Sequence, residues 1–474
     1  MNIIPPLAKT IIEFCIKAVF FMESIWRSNT QLPEFPELEK DMKTDVLIIG
    51  GGITGILCAH FLKERGVDYM LAEGRTICSG TTGNTTAKIT AQHGLVYHKI
   101  LKSRGGETAA MYLHASLSAV EKFAELAEGS EKTDGSGRRI DCDFERKTSY
   151  IYSTESLRKL EKEADALARI GFYSELSDRS ELPFPVAATL SFNNQAQFNP
   201  MKFIAGISKG LNIYEHTFIK EFIKSEKGEN EAITGKGRKI KFKKAVFAAH
   251  FPIDNKHGMY YLKLYQHRSY VIALKGVSKI HGMYVDEKRK GMSFRSFGDV
   301  LLVGGGSHRT GKSGGNWQEL RDFAQRYYPD SREIAFWVAQ DCMSLDGVPY
   351  IGPYSENMPG CFVASGYNKW GMTSSMTAAM LLSDMVTERE NPYAAVFDPA
   401  RSMWKPQLFI NGCEAVKNLL APTVRRCPHM GCALKRNRTE HTWDCPCHGS
   451  RFGEDGTVLD NPANGNMKKP PQKY

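Results

Sequence analysis

Residues 45–55 read Asp45-Val-Leu-Ile-Ile-Gly50-Gly51-Gly52-Ile53-Thr54-Gly55. The apolar run before Gly50 predicts a buried strand. The glycines form a G-x-G-x-x-G. Ile53, Ile56, Leu57 and Phe61 then recur on one helical face, and Gly66 supplies a stop. A second strand, Val67 to Ala72, ends in Glu73, 23 residues after Gly50. Each part has a task. Gly50 permits a tight turn, Gly52 lets the backbone approach a pyrophosphate, and Gly55 lets the helix sit close to the strand. The helix start supplies N–H donors and a positive dipole end. Glu73 is placed to take the ribose hydroxyls. Strand, turn, helix and acid together predict a dinucleotide site.

Outward from this unit, the chain has 474 residues, enough for about three domains. Hydrophobic residues make up 42% and charged residues 24%, which excludes collagen, a disulfide mini-protein and wholesale disorder. The net charge is +10, with no block of five like charges, so no nucleic-acid partner is expected. Residues 401–474 hold twelve Lys/Arg against six Asp/Glu. That excess reads as a solvated basic surface or as a docking face for an acidic electron-transfer protein. Of eleven Cys, seven are scattered and four crowd together near the end; the odd count points to a reducing, cytoplasmic setting. In residues 1–21, Lys9, Glu13 and Lys17 interrupt the apolar run, so no spanning helix is available. An amphipathic helix there, or translation from Met22, are the readings left, and membrane contact is not expected. Residues 1–44 read as an extension and extended lead-in.

A second set of residues bears on the cofactor. The stretch DVLIIGGGITGILCAHFLKERGVDYMLAEG, followed by SGTTGNTTAKIT at 79–90, resembles the FAD-dependent glycine/D-amino-acid oxidase superfamily. Ala248-Ala249 ending a strand, Asp346-Gly-Val-Pro-Tyr-Ile-Gly352 and Gly366-Tyr-Asn-Lys-Trp-Gly371-Met372-Thr are similar to later pieces of that family. The resemblance covers roughly residues 24–395. It implies FAD contacts from Gly50, Gly52, Ile53, Thr54, Gly55 and Glu73, and from Thr82, Gly83, Asn84, Thr85 and Thr86 in the segment that folds around the flavin. It also implies contacts from Ile219, Ala249, Gly352, Gly366, Gly371 and Met372. The helix opening at Gly371 is implied to aim its N-terminus at the flavin ring, where its dipole favours negative charge.

Near the end stand CPHMGC (427–432) and CPCHGS (445–450). Cys427, His429, Cys445 and His448 offer two thiolates and two imidazoles. That set suits a [2Fe–2S] centre with Cys on one iron and His on the other, or zinc as Cys₂His₂. The flanking residues resemble the Rieske family: Gly431, Gly449 and Ser450 match, and Cys432 and Cys447 occupy the positions of its loop-locking disulfide. Phe452 stands two residues after Ser450, where the family often has a hydroxyl-bearing Tyr. With fewer hydrogen bonds to sulfur, the potential is expected low in the Rieske range of about −150 to +300 mV. From Cys413 to Tyr474 there are 62 residues, short for such a domain, so this piece is expected to lean on the rest of the chain.

Three further patterns are read and set aside. Gly306-Ser-His-Arg-Thr-Gly311-Lys312-Ser313 fits the phosphate-loop pattern, but Gly314-Gly315 follows where a helix should start. His93 and His98 lack the neighbouring acid of a mononuclear iron site. Cys342 is read as an ordinary buried cysteine rather than a flavin attachment.

The expected fold is α/β: a doubly wound, Rossmann-like FAD domain interleaved with an antiparallel-sheet substrate domain, then a small β-type Rieske unit. The expected division is 45–400 for the flavin-dependent part, with FAD-binding pieces at about 45–100, 195–255 and 340–395. Substrate pieces fall at about 100–195 and 255–340, and the Rieske unit at 415–474. The expected function is oxidation of an amine or amino-acid-like substrate, with electrons passing from FAD to the [2Fe–2S] cluster. Two rivals stay open: a flavin reductase driven through the cluster, and a redox-responsive binding protein without a small substrate. Arg268 and Arg295 are candidates for a substrate carboxylate, and Tyr350 for a place near the flavin.

Overall fold

Strand β1 (Met42–Ile49) lies within an eight-stranded sheet, paired in parallel with β2 (Tyr69–Ala72) on one side and with Lys239–Phe247 on the other. Val46 to Ile49 are all buried because both faces of the sheet are covered. Val46 and Ile48 enter the core shared with helix α1 (Ile53–Glu64), while Leu47 and Ile49 enter the opposite core with Phe242, Phe247 and Tyr350. Alternation along the strand thus feeds two cores at once. The sheet runs Tyr350–Pro353, Cys361–Ser365, Lys239–Phe247, β1, β2, Ile213–Tyr214. The connection from β1 runs to β2 on one side, and the one from Lys239–Phe247 returns to Cys361–Ser365 on the other, so the crevice beyond the carboxyl ends of these two strands is the natural ligand site of such a sheet.

The structure, a computed structural model, describes residues 23–129, 139–224, 229–254, 257–423 and 425–468. The amphipathic helix and the alternative start considered for residues 1–22 lie outside these. Among the described residues, no helix is long and apolar enough to cross a membrane.

A nine-stranded sheet alternates with the first along the chain. Its order is Arg332–Met343, Tyr265–Lys275, Val300–Arg309, Ser293–Phe297, Met283–Asp286, Glu145–Ser153, Ala188–Gln197, Lys88–Ile89. All of these neighbours are antiparallel except Met283–Asp286 with Glu145–Ser153. Helix α2 (Gly371–Val386) packs on α1.

The lead-in is more structured than its prolines suggest. Ile25–Ser28 form one helical turn, and Trp26 is fully buried. Trp26 Nε1 donates to Thr85 O at 2.7 Å, and Arg27 donates to Cys78 O at 2.8 Å. This turn braces the 78–86 loop from behind.

The interval left between the two expected parts, residues 400–415, runs into a continuous helix, α3 (Pro406–Leu420), which crosses the expected start of the Rieske unit. A four-stranded antiparallel sheet follows, Lys435–Asn437, Thr442–Asp444, Arg451–Phe452 and Val458–Asp460. Its core consists of Cys427, Cys432, Leu434, Cys445, Cys447, Phe452, Ala463 and Met467. With half of that core cysteine, the unit buries little large apolar surface of its own.

Candidate functional site

At the end of β1, Gly50 adopts φ +108°, and a Cβ there would meet Ala248 O at 2.7 Å. A Cβ on Gly55 would lie 2.0 Å from Gly50 O, so only glycine lets α1 approach the strand. At Gly52 a Cβ would meet only Thr82 Oγ1, at 3.4 Å, which leaves the backbone facing open space. That space is a cavity of about 700 Å³. Glu73 borders it, its carboxylate accepting from Gly51 N at 2.6 Å and Arg75 N at 2.8 Å.

Most residues singled out from the sequence converge on this cavity: Gly50, Gly52, Ile53, Thr54 and Glu73 at the turn, and Thr82, Asn84, Thr85 and Thr86 on the loop. Ile219, Ala249, Gly366, Gly371 and Met372 complete the set. Three others do not line it. Gly55 works by close packing. Gly83 faces the Arg27 guanidinium, where a Cβ would lie 2.5 Å from Nε. Gly352 is turned toward Pro399, at 2.9 Å from where its Cβ would be.

The structure places the three substrate-side candidates away from the cavity's open face. Arg268 is buried and paired with Glu440 of the C-terminal unit, so it has no free face for a carboxylate. Arg295 is fully buried behind the cavity wall, donating to Ala87 O at 2.6 Å and lying over the Trp26 ring. Tyr350 is buried under the Arg401 guanidinium, 3.9 Å above its ring, and does not border the cavity.

Other cations take their place. Lys88, Lys369 and Arg289 border the cavity. Burial, and then the neighbouring Arg295, push the Lys88 ammonium down to about 7. Its Nζ donates to Thr86 Oγ1 at 3.2 Å and Ser293 Oγ at 3.3 Å, both neutral. Burial also lowers Lys369, whose Nζ donates to Ser307 Oγ at 2.5 Å. Both lysines sit inside quoted motifs, NTTAKIT and GYNKWG, yet their sequence context did not distinguish them from surface lysines. His93 stacks on Trp370 at the start of α2, with ring centroids 5.2 Å apart, and its Nδ1 meets Tyr112 Oη at 2.7 Å. Burial pushes it to about 3, which keeps it neutral. Cys342 borders the cavity as a buried thiol, pushed up to about 12 by burial.

In the C-terminal unit, the His429 and His448 rings stand 4.9 Å apart, nearly perpendicular. His448 Nδ1 is buried with no hydrogen-bond partner, and burial followed by His429 pushes that ring down to about 3. A neutral imidazole with an unmatched nitrogen is what a metal ligand requires. Cys427 and Cys445 are in thiol–thiol contact. The Sγ atoms of Cys432, Cys445 and Cys447 lie within 4.8 Å of one another. Cys432 and Cys447, expected as a disulfide, are both free thiols in the structure, in contact with each other. Donor set and orphaned nitrogen fit a cluster held by Cys427, His429, Cys445 and His448.

The two sites meet. Residues 458–461, 463 and 464 form part of the cavity wall. Asn461 Nδ2 donates to Ala249 O and to Phe251 O, both at 2.8 Å. The Phe251 ring lies 6.4 Å from each of the His429 and His448 rings. Arg309 donates to Pro446 O and Cys447 O at 2.9 Å, and Gln340 to Gly449 O at 2.9 Å. The phosphate-loop match belongs to this seam. Its first residues continue the strand Val300–Arg309, and a Cβ on Gly311 would meet Pro446 N at 2.6 Å. The glycine there admits the CPCH loop, not a phosphate.

A family profile described as FAD dependent oxidoreductase matches residues 45–385, and one described as Rieske [2Fe-2S] domain matches residues 399–471. The chain is 32% identical over 500 residues to YhfW of Bacillus subtilis (strain 168), whose name describes a Rieske 2Fe-2S iron-sulfur protein. That match covers 93% of this chain and 96% of YhfW. In fold it is similar to glycine oxidase from Geobacillus kaustophilus, with TM-score 0.63 and 20% identity over 76% of this chain and 100% of that one. It is also similar to L-amino acid deaminase from Proteus vulgaris, with TM-score 0.61 and 14% identity over 79% of this chain and 100% of that one.

Proposed function

As this chain belongs to the FAD dependent oxidoreductase family and carries a Rieske [2Fe-2S] domain behind it, we propose that it oxidises an amine or amino-acid-like substrate and passes the two electrons, one at a time, through its own cluster to an external one-electron acceptor. It is an FAD-dependent oxidoreductase with two cofactors, FAD and a [2Fe–2S] cluster. When bound, FAD supplies a hydride acceptor and the cluster a one-electron acceptor. The protein's own contribution is placement. Gly50 and Gly52 would admit the pyrophosphate, Glu73 would take the ribose, and the start of α2 at Gly371 would face the ring. Cys427, His429, Cys445 and His448 would hold the cluster.

One observation carries the electron route: the C-terminal unit walls the same cavity that the dinucleotide turn opens into. The names of the similar folds, an amino-acid oxidase and an amino-acid deaminase, support the substrate class. Among the cations that border the cavity, Lys88, Lys369 and Arg289 offer donors to a substrate carboxylate.

The test is anaerobic mixing of the holoprotein with a panel of amines and amino acids. Flavin bleaching is followed optically, and the cluster by electron paramagnetic resonance after freezing. The expected result is bleaching by an amine followed by a reduced Rieske signal. Bleaching with no cluster signal defeats the electron route. No bleaching by any amine defeats the substrate class.

A further inference from the structure

Helix α3 is built inside out. Its buried residues are Asn411, Glu414 and Asn418, which share one face. Asn411 accepts from Arg309 at 2.8 Å and donates to Leu262 O at 3.2 Å. Glu414 pairs with Lys312 at 2.6 Å. Asn418 donates to Glu414 O at 2.8 Å, and its own carbonyl accepts from Ala433 N at 2.9 Å. The polar face is therefore consumed as a wedge between the flavin-dependent part and the cluster loop. The opposite stripe, Phe409, Cys413, Val416 and Leu420, faces out, with Phe409 61%, Val416 57% and Leu420 79% exposed. Ile410 and Leu419 widen it, and Trp404 and Met430 extend it at either end. A surface helix ordinarily does the reverse, and a contiguous exposed apolar patch marks an interaction site.

Charge indicates what covers it. From residue 399 to residue 439 the only acid is Glu414, which is buried and paired. Lys405, Lys417, Arg425 and Arg426 flank the stripe in sequence, and Arg426 also caps the helix end through Leu419 O and Ala421 O. The occupant must therefore be apolar and anionic together. The stripe is the ridge of one helix, about 22 Å long at 1.5 Å per residue. It is too short to span a bilayer and suited to lie along one. Fluid acyl chains accommodate a convex ridge without a shaped groove, and Trp and Lys beside an apolar face fit the headgroup level. We propose that α3 seats the protein on an anionic lipid surface, apolar stripe down, with the tip of the CPHMGC loop at Met430 beside the headgroups.

The test uses the full-length holoprotein in flotation with vesicles of equal parts phosphatidylglycerol and phosphatidylcholine, and with vesicles of phosphatidylcholine alone. Binding to the mixed vesicles is expected, at least about tenfold tighter than to the neutral ones. The double variant Val416→Gln/Leu420→Gln, and separately Phe409→Ser, should weaken it by about tenfold or more. Flavin and cluster spectra should stay unchanged, since these side chains touch neither site. Absence of binding to the mixed vesicles overturns the proposal, as does undiminished binding by both variants. Loss on deleting residues 1–21 with binding kept in the α3 variants also overturns it. So does a wild-type dimer that ignores vesicles and that Val416→Gln/Leu420→Gln turns into monomer, because a second copy would then cover the face.

Discussion

Arg268, in the nine-stranded sheet, and Glu440, in the C-terminal unit, form a buried ion pair across the seam between the two, with Nε to Oε1 at 3.1 Å. Glu440 also receives Tyr270 Oη at 2.9 Å and Arg451 at 2.6 Å. Removing Arg268 leaves the buried Glu440 carboxylate one cation short, with Arg451 still paired to it. Arg268→Ala should therefore cost about 1.5–3 kcal/mol, the worth of hydrogen bonds to a charged group. The check is thermal unfolding of the holoprotein, with the cluster signal lost before the flavin. Arg268→Met/Glu440→Leu should recover much of that loss, because it removes both charges.

The same pair sets a pH dependence. Burial would raise the Glu440 carboxyl, but Arg268 and then Arg451 hold it down to about 2, below its ordinary 4.5. A depressed carboxylate contributes stability that is complete above its unfolded value and is lost as pH falls toward the folded one. Docking of the C-terminal unit should thus weaken between about pH 4.5 and 2. Limited proteolysis between the two parts, followed against pH, measures this.

Gly55→Ala should abolish FAD retention, because its Cβ would fall 2.0 Å from Gly50 O. Glu73→Ala is milder. It should lower FAD affinity by about 1.5–3 kcal/mol, the worth of a charge-assisted hydrogen bond. Flavin released on gel filtration reads both.

Lys88 predicts a titration in substrate binding. Its ammonium, pushed down to about 7, carries charge below that pH and loses it above. KM for a carboxylate-bearing amine should rise by up to roughly tenfold per unit above pH 7. Lys88→Met should show a raised KM with this limb flattened, and kcat changed far less.

Asn461 ties the C-terminal unit to the carbonyls of Ala249 and Phe251. Asn461→Ala leaves both without that donor and should cost about 1–3 kcal/mol. The expected outcome is faster FAD loss with an unchanged Rieske spectrum. Cys427→Ser should do the opposite, removing the cluster signal while leaving the flavin absorption.

The dinucleotide turn and the cluster loops were legible because their chemistry is local. A G-x-G-x-x-G between an apolar strand and a buried helix points to a dinucleotide, and two thiols with two imidazoles at tight spacing point to a metal or cluster. That the two are FAD and a [2Fe–2S] cluster followed from the family resemblance of the residues around them. Long-range pairings left no comparable trace. Arg268 and Arg295 read as cations free for a substrate, and nothing near them in sequence announces Glu440 or the Trp26 ring. Lys88 and Lys369 looked ordinary, since burial depends on strands contributed from hundreds of residues away. Gly314-Gly315 argued against a phosphate loop at 306–313, but the seat this stretch makes for the CPCH loop needed the fold. The apolar stripe of helix α3 has a regular period in sequence and reads as a core-facing one; that it faces out, with Asn411, Glu414 and Asn418 against protein, was set by the fold. Local motifs thus determined that this chain takes a dinucleotide and a Cys/His-held metal centre, and their family resemblance named both. Tertiary packing decided which charges border the cavity, which are paired, and that the C-terminal unit walls the cavity beside the dinucleotide turn, because burial and ion pairing are properties of neighbours in space.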